Sequence, residues 1–158
     1  MTGRLWHHWK LLLVVTVVAG AGIQAFEPDW NDLQMADDAD AYRAILDSTG
    51  RATAAALCDV VFAAGYGLLG VAGVRSLGGR ARVAIAAAGA IALGALADEV
   101  ENLFMIRNIN SEGTLTDGWV DAMQVFGTIK WIGALGFLYF FFLLIRRALD
   151  RRATAGGP

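Results

Sequence analysis

Apolar residues gather along this chain in four blocks, 6–26, 53–74, 83–106 and 120–145, each bounded by charged, turn or aromatic positions. A helix needs about 20 mostly apolar residues to cross the hydrocarbon of a bilayer, so each block predicts a membrane-spanning helix. The stretch 30–50 has a different rhythm. Met35, Ala39, Tyr42, Ile45, Leu46 and Thr49 recur at helical spacing on one face, while Asp37, Asp38, Asp40 and Asp47 lie largely off it. This predicts an amphipathic helix resting on the outer bilayer surface or on the bundle, with Gly50 as its stop; a lid or partner-docking element is the sharper reading. Calcium binding by Asp29, Asn31 and Asp32, or by Asp37, Asp38 and Asp40, is disfavoured because the turn glycine and closing glutamate of an EF-hand loop are missing. The expected fold is an all-α integral membrane four-helix bundle with an amphipathic helix in its first outer loop. It forms a single membrane domain over 1–158 and ends in a cytoplasmic tail, 146–158.

Composition agrees with the blocks: 56% hydrophobic residues and a mean hydropathy of +0.49 exceed what a soluble domain carries. A net charge of −2 conceals segregation by sign. Threading the four blocks in turn puts Arg4, Lys10, Arg75, Arg80, Arg82, Arg146, Arg147, Arg151 and Arg152 on one side and only Arg43, Arg51 and Arg107 on the other. The positive-inside rule then places both termini and the 75–82 loop in the cytoplasm and the 27–52 and 107–119 loops outside a plasma membrane. Trp6 and Trp9 suit the inner interface, Trp30 and Trp119 the outer one. The first block also resembles a secretory signal ending in Ala19-Gly20-Ala21, but its length and flanking tryptophans favour an uncleaved span. His7 and His8 point to different helix faces, which is poor ligand spacing. Cys58 is the single cysteine and sits in an apolar block, so it reads as a packed thiol. No basic face supports nucleic-acid binding.

Ionisable residues stand inside three of the blocks: Asp59 in the second, Asp98 and Glu101 in the third, Lys130 in the fourth. Each costs about 2.5–3.5 kcal/mol at a helix centre on insertion scales, and such residues mark working sites. Counted from the block centres, all four lie about 4–11 Å to the outer side of the midplane. One layer implies one site. Ala86, Ala90 and Gly94 step by four into Asp98, Ala63 and Gly67 step away from Asp59, and Gly127, Gly133 and Ala134 flank Lys130. Small residues at that spacing let helices approach closely in lipid, so the charges are expected to face neighbouring helices. Tyr66 and Asn102 bring a hydroxyl and an amide to the same interior. Asp121, Gln124 and Thr128 form a separate polar stripe suited to a wet entrance, and Glu99 points to a crevice or helix boundary. Three carboxylates around one lysine leave an excess of −2, to be met by a retained proton, a cation, Arg107 or water.

Asp59-x-x-Phe62-x-x-x-Tyr66, Asp98-x-x-Glu101-Asn102 and Lys130, preceded by Ala44-Ile45-Leu46 and Gly50-Arg51, resemble a group of small bacterial four-helix integral membrane proteins over roughly residues 35–140. The resemblance implies a four-span fold and a recurring polar core, and no activity.

Three functions remain open. Taken first is a structural or accessory role, with the buried Asp/Glu/Lys cluster pinning helix register. The second is binding or passage of a small molecule, lipid or proton through an outward-facing cavity. The third is intramembrane acid/base or metal-assisted chemistry on a lipid, which the chain supports least. It has no His-Glu metal motif, no G-x-S-x-G and no phosphate-cradling loop. No cofactor is implied. The partners the pattern admits are the bilayer, a second copy or another membrane protein, and a small apolar or lipid ligand.

Overall fold

A computed structural model describes residues 2–46, 49–78, 82–111 and 114–155, and every regular element among them is helical. In chain order these are α1 (Thr2–Phe26), α2 (Trp30–Gln34), α3 (Ala39–Ile45), α4 (Thr49–Gly78), α5 (Arg82–Ile109) and α6 (Asp117–Ala155). Three of them, over Thr49–Leu77, Arg82–Ile109 and Asp117–Asp150, are long and apolar enough to cross a membrane. α1 is continuous over 25 residues, and its apolar part, Lys10–Phe26, is shorter. The side chains of Trp6, His7, His8 and Trp9 lie outside the described residues, as do Asp47, Arg80 and the side chains of Arg151 and Arg152.

α5 is the central helix, packed on α4 along one side and α6 along the other, while α1 packs on the far side of α4 and scarcely touches α6. Its buried stripe (Ala84, Ala87, Ile91, Gly94, Asp98, Glu101, Met105) steps by three and four, so one helix face is inward throughout. Leu11, Leu13, Val14, Val17 and Val18 on α1 and Ile132, Leu135, Tyr139 and Phe142 on α6 are exposed. Apolar side chains outward and carboxylates inward is the arrangement that a lipid solvent selects. At one end, Trp30, Leu33 and Tyr42 pack with Ala52, Ala55, Met105, Leu115, Val120 and Met123; at the other, Val74, Ala84, Ala87 and Leu144 form a smaller core. The polar cluster lies between these two apolar plugs.

Two expectations are corrected. The 30–50 stretch is not one helix but two short ones, α2 and α3, separated by residues 35–38. Asp38 is extended and its carboxylate accepts the Ala41 N–H at 2.7 Å, an N-cap that starts a new helix at that point. Ala39 and Tyr42 are buried as the period predicts, but Met35 falls in the break and is 71% exposed. Gly50, read as a stop, lies in the first turn of α4. A further difference is length: α6 runs 39 residues, about 58 Å at 1.5 Å per residue, so the tail after 145 continues the helix through Ala155.

Candidate functional site

The closest crossing of α5 and α6 sets the site. A Cβ on Gly133 would lie 2.7 Å from Gly94 Cα and 2.8 Å from the Ala90 carbonyl oxygen, so the backbones meet where only glycine fits. Lys130 precedes Gly133 by three residues and Asp98 follows Gly94 by four, which turns the two side chains toward each other. Lys130 Nζ lies 3.1 Å from Asp98 Oδ1 and 2.6 Å from Glu101 Oε2. The three side chains are 13%, 4% and 2% exposed. From α4, Tyr66 donates its hydroxyl to Asp98 Oδ2 at 2.9 Å. Asp98 thus has a partner on each oxygen, and three helices are tied at one level by short, charge-assisted contacts.

Asp59, also on α4, is served from another direction. Trp30 Nε1 and Gln34 Nε2 on α2 donate to its Oδ2 at 3.2 and 3.3 Å, and among the described residues Oδ1 receives no donor. Trp30 and Gln34 are four residues apart and so share a face of α2. The segment carrying them is clamped to the start of α6. Gln124 Nε2 donates to the Ala36 carbonyl at 2.6 Å, Ala39 N donates to Asp117 Oδ1 at 3.0 Å, and Arg43 Nη2 donates to the Leu115 carbonyl at 2.6 Å.

Between α1 and α6, floored by α4 and α5 and roofed by α2, lies a cavity of about 460 Å³. Its polar end is Asp59, Tyr66, Asp98 and Lys130 under Trp30, Asn31 and Gln34; Ile23, Phe62, Ile91, Trp131, Phe137 and Leu138 form the apolar remainder. Trp131 and Leu138 are 61% and 60% exposed, so the mouth opens sideways across the apolar surface of the bundle.

The sequence expectation of one four-membered cluster is met in part. Asp98, Glu101, Lys130 and Tyr66 are joined directly; Asp59 shares the cavity with Asp98, Tyr66 and Lys130 but is bonded to α2. Asn102 is fully buried beside the cluster in sequence, yet neither amide atom has a hydrogen-bond partner among the described residues. The Asp121, Gln124 and Thr128 stripe does not line the cavity. Gln124 is part of the clamp, Thr128 bonds the Gln124 carbonyl of its own helix, and Asp121 is exposed. Arg107 is not a counter-ion either, because its guanidinium stacks over the Trp119 ring at 3.4 Å. Cys58 is a free, half-buried thiol packed against Gly22 of α1. Among the described residues no three His, Cys, Asp or Glu side chains are grouped so as to hold a metal ion. Sequence reasoning missed Gln34 and gave Trp30 an interfacial role; their four-residue spacing as two N–H donors is the signal that could have found them.

No family model, curated protein or solved structure matches this chain.

Proposed function

We propose that the chain is a four-span bacterial plasma-membrane protein that binds an amphiphilic small molecule or lipid in the cavity between α1 and α6. The observation that carries this reading is the cavity itself. Its volume lies in the range of small-molecule sites, and it joins one polar end to a long apolar wall, as an amphiphile requires. α1 acts as the remaining span, and both termini face the cytoplasm, a reading supported by the nine-to-three division of loop Lys and Arg. The likeness to small bacterial four-helix membrane proteins belongs to the same reading. The cluster then divides its labour: Lys130, Asp98, Glu101 and Tyr66 hold α4, α5 and α6 in register, a structural role favoured by their direct bonds, while Asp59 serves the cavity.

Saturable uptake of a neutral lipophilic dye, phenylnaphthylamine, by the detergent-purified protein tests the binding reading. Gln24→Trp, which places an indole in the space the dye would occupy, is expected to abolish saturable uptake without lowering thermal stability. Linear partitioning of the dye, equal in both proteins, would overturn it. Cysteine tags at Ser111 and Ala155 are expected to label from opposite faces of intact cells, and labelling of both from outside refutes the orientation.

A further inference from the structure

The geometry points to an organic cation with an apolar body as the ligand class of the cavity, its charge held by Asp59 and the surrounding aromatic rings. This rests on the cavity reading above and adds the sign of the ligand's charge to it. Lys130 is the only Lys, Arg or His among the described residues that line the cavity, and its ammonium is engaged by Asp98 at 3.1 Å and Glu101 at 2.6 Å. Among the described residues Asp59 is therefore a carboxylate with no cation paired to it. It is 5% exposed, its donors among the described residues are the neutral Trp30 indole and Gln34 amide, and both address Oδ2. Among the described residues Oδ1 is left without a donor, on a side chain that lines the cavity.

A buried carboxylate in apolar surroundings needs a compensating charge, and a ligand can supply it. An anion would add a negative charge beside Asp59 and Asp98 while the single lysine is already bonded to two carboxylates. A cation meets an unpaired carboxylate and, around it, the rings of Trp30, Phe62, Tyr66, Trp131 and Phe137. Phe62 and Tyr66 pack edge to face with centroids 5.4 Å apart, which leaves ring faces available to other neighbours. Aromatic faces attract organic cations most strongly where water is excluded, and they do nothing comparable for anions.

Tetraphenylphosphonium and tetraphenylborate have nearly the same size and shape and opposite charge, which makes them the discriminating probes. Equilibrium binding of each to detergent-purified full-length protein is expected to be saturable for the phosphonium only. Asp59→Asn preserves an acceptor for Trp30 and Gln34, so the fold is retained, and phosphonium affinity is expected to fall about tenfold or more, the loss of one charge–charge attraction in an apolar site. Trp131→Leu, on the cavity wall, is expected to weaken phosphonium binding more than phenylnaphthylamine uptake, because leucine keeps the apolar surface and removes the ring face. Preference for the borate, or equal loss of phosphonium and neutral dye in Asp59→Asn, overturns the cation assignment. Uptake of the neutral dye without phosphonium binding overturns the assignment and leaves the cavity reading standing; absence of both overturns the two together.

Discussion

At the scale of single residues, the site is a problem of charge in a medium that does not tolerate it. Lys130 answers two carboxylates, so removing it strands both. Breaking one partner out of a buried ion pair costs about 3–5 kcal/mol. Lys130→Met is expected to destabilise by about that amount in detergent unfolding titrations, and adding Glu101→Gln is expected to recover part of the loss, because the shorter of the two contacts ends there. Strict additivity of the two substitutions would show that they do not interact. Tyr42 is a different case. Its hydroxyl is fully buried with no hydrogen-bond partner among the described residues, and desolvation pushes the phenol above its usual value. Since the folded state holds this proton more tightly than the unfolded chain, the associated stability is intact below about pH 10 and is lost as pH rises past that value. Tyr42→Phe is expected to cost little at pH 7 and to flatten the alkaline fall in melting temperature. An unchanged alkaline fall in the variant would assign it to other groups.

At the scale of elements, legibility followed the strength of the local signal. The Lys130–Asp98 pairing was readable because small residues at four-residue steps mark the face along which α5 and α6 meet. Gly94 and Gly133 on that face bring the backbones into contact. Gly133→Ala is expected to force the crossing apart and destabilise by about 1–3 kcal/mol, the usual cost of overpacking, with a parallel loss of the Lys130 contacts. A neutral Gly133→Ala melting curve would contradict the close crossing. The segment before α4 was read as one helix because Met35, Ala39 and Tyr42 fit a 3.6-residue period. Period alone cannot see that Asp38 caps Ala41 more favourably than it continues a helix. Trp30 was misassigned for a related reason, since an indole suits a bilayer interface and a buried carboxylate equally well until its neighbours are known.

At the scale of the molecule, the helical bundle and the inward turn of its charges were readable from hydropathy, because in lipid the backbone and the ionisable groups have few other solutions. A cavity at the charged layer was among the expectations, but its sideways mouth between α1 and α6 was not readable. It arises from which helices fail to pack, and no pattern within α1 or α6 announces that α1 leans on α4 and leaves α6 uncovered. On the proposed binding reading, the α1–α6 gap is the route by which a ligand would leave the bilayer for the cavity, with α2 as a fixed roof, since the segment from Trp30 to Arg43 is tied to the start of α6 and to Leu115 by the bonds of Gln124, Asp117 and Arg43. Gln24 and Leu138 line the cavity from the two sides of the gap. In a Cys58→Ala background, which removes the single native thiol, cysteines at these two positions bridged by a bismaleimide should slow both association and dissociation of the neutral dye by at least tenfold without changing its equilibrium affinity. A gate alters rates and leaves the bound state alone. Unchanged rates after complete bridging would mean that the ligand reaches Asp59 from beneath α2, and the clamp on that segment would then be the moving part.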